Sequence, residues 1–350
     1  MKTNKLFRSL LIFLILAAVF YTIITKLTDF KDAKFLLEIK PLYLGLALGA
    51  WFLSYLALGL KLKILLKALN YRFQLRELMK FGALGVFAVH FLPVGNFGES
   101  ALNFHLLRRR GVKTSSALAL FLTRLASDYL AFFIIFLIAL AFLKTRPALN
   151  SLTTAAFIII LLLLIIDIII FFYFLSIPPL FKSIAKKILK SLKKTFNFIK
   201  DNSQKDPEAY FDKMSTLLYR DFKILVRKKR LLLSLILSSA FYWLTDCGIL
   251  YFSLIGLGVK LGFDSIFFAY SIANIVALIS FLPAGIGVFE ASLILILRSF
   301  SLNAPAITLG VFSYRFISLW LAIPLGFLAF YSLNKQQKIF PQLKKSQKKK

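Results

Sequence analysis

Residues 91–100 read FLPVGNFGES, and residues 281–292 read FLPAGIGVFEAS. Each stretch interrupts an apolar run with Phe-Leu-Pro, a glycine two residues after the proline, a second glycine and then a glutamate. Proline removes a backbone donor and glycine adopts dihedral angles closed to other residues, so both stretches are expected to break a helix. If the runs lie in a membrane, such a break needs protein or a water-filled cavity around it. The two stretches therefore predict broken helical hairpins beside a cavity.

The composition places these runs in a membrane. The chain has 350 residues, of which 59% are hydrophobic and 17% charged, and its mean hydropathy is +0.79. We expect an all-α polytopic membrane protein, because several stretches supply the roughly 20 apolar residues that cross a bilayer. Six full spans are predicted, near residues 7–26, 42–66, 115–143, 153–177, 231–257 and 304–332. The broken stretches, 79–107 and 264–299, are predicted to be re-entrant hairpins or pairs of short crossings.

The charge and the ligand-forming residues exclude several classes of protein. The net charge is +30, but the lysines gather beside apolar segments, which indicates the positive-inside rule and anionic lipid rather than nucleic acid. A single cysteine, Cys247, and two distant histidines, His90 and His105, are too few for a metal centre. No metal, other cofactor or nucleic-acid partner is expected.

The basic segments also predict an orientation. Lysines and arginines precede the first span, follow the second between Lys61 and Lys80, and return at Arg108 to Lys113, along 178–230 and at the C-terminus. One topology places all of them in the cytoplasm, with both termini inside and Lys260 outside. Residues 1–335 are then one membrane domain in the plasma (inner) membrane, 178–230 a basic amphipathic cytoplasmic loop and 336–350 a cytoplasmic tail.

The two broken stretches belong to longer repeats. Arg124 lies 25 residues after Glu99, and Arg315 lies 25 residues after Glu290, each inside an apolar helix. In the predicted topology the unit near 42–143 enters from inside and the unit near 231–332 from outside. Such an inverted repeat is typical of transporters that build a midplane site from discontinuous helices.

These residue types suit an anionic ligand. Half-helix N-termini present open N–H groups, and arginine adds a planar fork that matches phosphate oxygens. Charges inside spans are costly, so they indicate function or pairing. The predicted binding residues are Glu99, Arg124, Asp128, Asp246, Gly285, Gly287, Glu290, Tyr314 and Arg315, and the predicted helix-breaking residues are Pro93, Gly95, Gly98 and Pro283.

Structural explanations stand beside the binding ones. Arg124 and Asp128, one helical turn apart, can neutralise each other. Arg315 has no acidic residue three or four positions away, so either Glu290 or an anionic ligand is its partner. The glutamates can also be helix caps, and Asp246 is either a cavity residue or a bundle contact.

The loop after the fourth span contains a helical stripe of apolar residues between lysines. The stripe consists of Leu180, Ile184, Ile188, Leu192, Phe196 and Ile199. This pattern favours a helix in the membrane interface, with a loop helix packed on the bundle as the alternative.

Together, these motifs resemble the membrane domain of the lysylphosphatidylglycerol synthase family over about residues 5–335. The resemblance is carried by Pro93, Gly95, Gly98, Glu99, the stretch Leu107 to Gly111 and Arg124, and by Pro283, Gly285, Gly287, Val288, Phe289, Glu290, Tyr314 and Arg315. The first motif departs from the family pattern at Asn96 and Phe97, where a basic residue is expected, and at Leu102 and Asn103, where an arginine is expected.

The resemblance implies a lipid-related function. In full-length members this domain is similar to a lipid flippase, and a soluble domain transfers the aminoacyl group; because the chain ends 18 residues after the last predicted span, we expect lipid translocation rather than lysyl transfer. The expected partner is an anionic phospholipid or lipid-linked phosphate, and the sequence is compatible with a homo-oligomer. The alternatives are a membrane-embedded lipid or glycolipid transferase and a membrane anchor for a separate soluble enzyme.

Overall fold

The computed structural model describes residues 39–91, 96–143, seven single positions between 158 and 169, and then 177–196, 207–280, 282, 285–300 and 304–339. This part of the chain is helical and contains no strand. The helices are α1 (Pro41–Ala68), α2 (Leu75–Phe91), α3 (Asn96–Arg109), α4 (Thr114–Leu143), α5 (Pro178–Phe196), α6 (Pro207–Arg227), α7 (Lys229–Gly256), α8 (Phe263–Ile279), α9 (Val288–Phe300), α10 (Ala304–Arg315) and α11 (Ala322–Ile339).

Four described stretches are long and apolar enough to cross a membrane: Pro41–Ala68, Thr114–Ala141, Lys229–Gly256 and Ala304–Leu333. They coincide with four of the six predicted spans, and the prediction of an all-α membrane protein is confirmed. The predicted spans 7–26 and 153–177 lie outside the described residues, apart from the seven single helical positions and residue 177.

Helices α1 and α7 form the centre of the molecule and run antiparallel. The backbone N–H of Lys40, just before α1, donates to the carbonyl of Gly256 at the end of α7. Small residues permit this close packing, since a Cβ on Gly256 would come within 2.6 Å of the Ile39 side chain. The ends of α1 and α7 are therefore fixed relative to each other.

Each broken stretch consists of two short helices. Helices α2 and α3 pack on each other, and so do α8 and α9. The α2 helix also packs on α11, whereas α8 packs on α4. Each hairpin thus contacts the last long helix of the other half of the chain.

The last span contains a π-helical turn, Phe316–Trp320, directly after Arg315. The N–H of Leu321 donates to the carbonyl of Phe316, five residues back, at 3.2 Å. Pro324 has no N–H for the carbonyl of Trp320, four residues earlier, which disturbs the helical ladder at this turn. Turns of this kind often lie at functional sites.

Helices α5 and α6 form a hairpin at the N-terminal end of α4. Phe181 packs on Tyr219 and Phe222 of α6, with ring centroids 5.4 and 5.7 Å apart. On the predicted stripe, Leu180 and Ile184 are only half-buried, whereas Phe181 and Ala185 are buried. Where its side chains are described, α5 therefore directs Phe181 and Ala185 toward the protein, as in the alternative of a helix packed on the bundle.

Candidate functional site

The second helix break is shaped by two glycines with positive φ. Gly285 has φ 62° and Gly287 has φ 85°, values that side-chain-bearing residues rarely adopt. The α9 helix then begins at Val288, and the backbone N–H of Gly287 donates to Glu290 Oε2 at 2.7 Å. Glu290 thus caps the helix on which it lies, in the way that a glutamate at the third helical position often does.

Glu290 uses its other carboxylate oxygen to pair with Arg315. The distance from Arg315 Nε to Glu290 Oε1 is 2.5 Å, and the two side chains are only 7% and 6% exposed. The Arg315 guanidinium carbon also lies 4.0 Å from the centre of the Phe289 ring, which is a cation–π contact. In this conformation Arg315 therefore pairs with Glu290, which is one of the two alternatives that the sequence left open.

The backbone amides predicted to be free at this break are occupied. The N–H of Gly285 donates to the carbonyl of Leu282 at 3.0 Å, and the N–H of Gly287 is held by Glu290. The expectation of open amides at Gly285 and Gly287 was therefore wrong for this conformation, because the loop folds back on itself and the helix caps itself. Pro283 lies outside the described residues.

The first hairpin contains the corresponding pair. Arg124 Nη2 of α4 lies 2.5 Å from Glu99 Oε1 of α3, and the Asn103 amide donates to the same oxygen at 3.4 Å. Gly85 of α2 provides the space, since a Cβ there would lie 2.4 Å from Glu99 Cγ. Both 25-residue intervals in the sequence thus correspond to an ion pair between a broken hairpin and the following long helix.

The helix-breaking residues of the first stretch are only partly accounted for. Pro93 and Gly95 lie outside the described residues. Gly98 lies in the first turn of α3, because the helix already begins at Asn96. The prediction that Gly98 is part of the break was therefore wrong.

The first cluster contains a lysine that sequence reasoning missed. Lys61 is fully buried in α1, where its Nζ pairs with Asp128 Oδ1 of α4. Asp128 also lies 3.6 Å from Arg124 Nε, so the predicted neutralisation by Arg124 is shared with Lys61. Lys61 was assigned to the basic cytoplasmic segment, but it lies inside the bundle and gives no information about orientation. The sequence signal for its burial is that Lys61 lies inside the predicted span 42–66, ahead of the last apolar residues of that span.

Asp246 is held by hydrogen bonds from two tyrosines. Its Oδ2 accepts hydrogen bonds from the hydroxyls of Tyr270 at 2.5 Å and Tyr314 at 2.9 Å. The Tyr314 ring stacks on Phe289, with centroids 5.9 Å apart, and Phe289 in turn lies under Arg315. The predicted residues Asp246, Tyr314, Glu290 and Arg315 are thus brought together in one cluster.

Helix α7 connects the two clusters. The Tyr242 ring lies 5.3 Å from Lys61 Nζ, and Trp243 Nε1 donates to the backbone carbonyl of Asp128 at 3.1 Å. One turn further along the same helix, Asp246 belongs to the second cluster. In the part of the chain that the structure describes, no group of three or more His, Cys, Asp or Glu side chains is arranged to hold a metal ion.

The two ion pairs share one arrangement. Each arginine lies in a long helix, and each partner glutamate lies at the start of a short helix that follows a break. An anionic group on a ligand could compete with the glutamate for its arginine, since both present oxygen atoms to the guanidinium. Pairs of this kind are suited to two states, with and without ligand, and they are costly to leave unpaired at membrane depth.

Comparison with known proteins gives one family over nearly the whole chain. Residues 7–326 match the family model described as "Lysylphosphatidylglycerol synthase TM region". A phosphatidylglycerol lysyltransferase of Staphylococcus xylosus is 35% identical over 74 residues, which are 21% of this chain and 9% of that protein. The protein of the same name from Staphylococcus haemolyticus (strain JCSC1435) is 31% identical over 80 residues, 23% of this chain and 10% of that protein. The matched segments therefore span about a tenth of these curated relatives.

Proposed function

Because this chain belongs to the lysylphosphatidylglycerol synthase transmembrane family, we propose that it is a flippase-like transporter of an anionic phospholipid or a lipid-linked phosphate. The observation that carries this proposal is the pair of equivalent buried contacts, Glu99 with Arg124 and Glu290 with Arg315. We place the protein in the plasma (inner) membrane with both termini in the cytoplasm, on the distribution of basic residues.

Arg315 is the main phosphate-binding residue in this proposal. Its guanidinium matches phosphate oxygens, and the lipid phosphate competes with Glu290 for it. Glu290 keeps its hydrogen bond to Gly287 through Oε2 when it releases Arg315, so the start of α9 stays capped. The exchange therefore gives Arg315 a new charge-assisted contact, while Glu290 retains its hydrogen bond from Gly287.

The first cluster provides the equivalent exchange in the other half. Arg124 is held by Glu99 and Asp128 together, and Lys61 neutralises Asp128. The side chains of Arg124 and Glu99 are 12% and 13% exposed, about twice the values for Arg315 and Glu290. The first pair is the more accessible in this conformation, and alternation between the two pairs would move the lipid headgroup across the membrane.

The test is a lipid-translocation assay in proteoliposomes. Fluorescent anionic and zwitterionic lipids are incorporated, and a membrane-impermeant quencher reports which leaflet they occupy. Arg315→Gln is expected to lower translocation of the anionic lipid by at least about tenfold, since one charged hydrogen bond is worth roughly 1.5–3 kcal/mol. Glu290→Gln is expected to lower it as well, because the arginine loses the counter-ion that it needs between transport events.

Arg298→Gln is the matched control. Arg298 lies on α9, two turns after Glu290, and is exposed, so its loss should leave translocation unchanged. The double variant Arg315→Met with Glu290→Gln removes the pair without leaving a charge, and separates loss of transport from loss of folding. Absence of translocation of every tested lipid by the unaltered, folded protein would contradict the proposal.

A further inference from the structure

The carboxylate of Asp246 lies in the middle of α7 with phenol donors on one side. The recorded hydrogen bonds, from Tyr270 of α8 and Tyr314 of α10, both use Oδ2. The two tyrosines are 1% and 4% exposed, whereas Asp246 itself is partly exposed. The phenol hydroxyls thus occupy one oxygen of a carboxylate whose residue is not fully buried.

The charges around Asp246 do not balance. The two clusters contain three cations and four carboxylates: Lys61, Arg124, Arg315, Glu99, Asp128, Glu290 and Asp246. Six of these seven groups form ion pairs. Within the described residues, no salt bridge joins Asp246 to a lysine or an arginine. An ionised Asp246 therefore leaves the buried clusters with one excess negative charge, which is costly at membrane depth.

Among the described residues, no ionisable group near Asp246 supplies a positive charge that is not already part of an ion pair. Tyr55 of α1 faces it, as do Tyr270 of α8 and Tyr314 of α10, and Cys247 follows it on α7. Arg315 of α10 is the cation whose charge acts on Asp246, and Arg315 is paired with Glu290. On α4, Arg124 and Asp128 face Tyr242, one turn before Asp246.

We propose that Asp246 is the proton-binding site of this protein, and that its protonation controls how tightly α8 and α10 are held to α7. This inference rests on the proposed transport function and supplies its coupling ion. The proton comes from the aqueous phase and returns to it, so that the carboxylate and the carboxylic acid interconvert and nothing else reacts.

The structural consequence follows from the two phenol hydrogen bonds. Hydrogen bonds to an ionised carboxylate are roughly twice as strong as those between neutral groups. Protonation of Asp246 therefore weakens the contacts from Tyr270 and Tyr314 at the same time. The α8 helix leads directly into the break at 280–287, and α10 ends at Arg315. Proton uptake thus loosens the helices on both sides of the second broken hairpin.

The first experiment detects the proton itself. Infrared difference spectra of the full-length protein in lipid nanodiscs are recorded as the pH is changed between mildly acidic and mildly alkaline values. We expect a protonated carboxyl band that rises as the pH falls and that is missing in Asp246→Asn. Asp212→Asn, which removes an exposed carboxylate on α6, should retain the band. A pH-dependent spectrum that is the same in Asp246→Asn and in the unaltered protein would overturn the proposal.

The second experiment measures how firmly α8 is held. The protection of α8 amides against hydrogen exchange, corrected for the intrinsic fall of the exchange rate at lower pH, is expected to decrease about tenfold on acidification, because both phenol hydrogen bonds weaken. Tyr270→Phe and Tyr314→Phe should show the faster exchange already at alkaline pH. Exchange in α8 that does not respond to pH would contradict the proposed loosening.

Lipid translocation under an imposed pH gradient distinguishes this inference from the proposed function. If the gradient changes the rate in the unaltered protein but not in Asp246→Asn, proton coupling is supported. If both respond equally, Asp246 is not the coupling site although the transport function stands. If no lipid moves while the carboxyl band and the α8 response are present, the proton site stands and the transport function fails.

Discussion

Lys61 is a fully buried lysine whose charge is balanced inside the bundle. A fully buried ammonium is tolerated because Asp128 pairs with it and Arg124 pairs with Glu99, so that the four charges sum to zero. Lysine is otherwise among the residues that are least often fully buried. The balance of the whole cluster, more than any single contact, should therefore determine its stability.

Lys61→Met is expected to destabilise the protein by about 3 kcal/mol or more, because Asp128 is left as an excess buried charge. The double variant Lys61→Met with Asp128→Asn restores neutrality and should recover most of the loss. Lys63→Met, an exposed lysine on the same helix, is the control. Cys247, the single cysteine of the chain, is buried, so a fluorogenic thiol reagent reports unfolding during heating. Equal melting of the single and double variants would contradict the charge-balance argument.

Gly85 permits the contact between Glu99 and Arg124. A methyl group there would lie 2.4 Å from Glu99 Cγ and 2.8 Å from Glu99 Oε1, so the glutamate must move away from Arg124. Gly85→Ala is expected to cost about 1–3 kcal/mol, as overpacking commonly does, and to lower lipid translocation. Gly49→Ala on α1, which meets no atom within 4 Å, should change neither quantity. Normal stability and normal translocation in Gly85→Ala would show that the pair tolerates displacement.

At the scale of helices, α6 is attached to the start of α4 by one buried carboxylate. Asp221 Oδ2 accepts hydrogen bonds from Ser115 at 3.0 Å and Ser116 at 2.8 Å. Helix α4 carries Arg124 and Asp128 further along, so this attachment joins the basic α5–α6 hairpin to the first cluster. At the exposed side of the hairpin, hydrogen bonds from Lys186 to Asp212 and Glu208 raise the pKa of the lysine ammonium.

Asp221→Ala should release the α5–α6 hairpin. It leaves two buried hydroxyl groups without their acceptor, at a cost of about 1–3 kcal/mol, so trypsin should cleave at the lysines of α5 roughly tenfold faster. Asp212→Ala breaks only an exposed ion pair, which is worth little, and serves as the control. The measurement is the rate of appearance of the two fragments on a gel. Similar rates for the two variants would mean that the hairpin is held by its apolar contacts alone.

The helices also show which features the sequence could predict. Four spans and both interruptions were predictable, since apolar length and Pro/Gly clusters act locally. The pairing of Glu290 with Arg315 was one of two predicted alternatives. The location of Lys61 and the hydrogen bonds of Asp246 were not predictable, because they depend on which helix faces which. The π-helical turn had a local signal in Pro324 that the span prediction ignored.

At the scale of the whole molecule, the antiparallel packing of α1 and α7 bears on the predicted inverted repeat. These are the first helices of the two proposed units. The connection after α1 contains Arg72, and the connection after α7 contains Lys260. Since Lys40 at the start of α1 contacts Gly256 at the end of α7, Arg72 and Lys260 lie at opposite ends of this helix pair. An inverted repeat requires this arrangement, whereas a parallel repeat would place both connections on one side.

Site-directed labelling in cells tests the arrangement across the membrane. In a Cys247→Ala background, Arg72→Cys and Lys260→Cys are introduced separately, both at exposed positions. A membrane-impermeant thiol reagent should label Lys260→Cys in intact cells and Arg72→Cys only after permeabilisation, because basic connections stay in the cytoplasm. Labelling of both from outside would contradict the inverted repeat, and labelling of Arg72→Cys alone would reverse the orientation while leaving the repeat intact. The side on which each broken hairpin opens follows from this result, and so does the leaflet from which each glutamate–arginine pair can receive a headgroup.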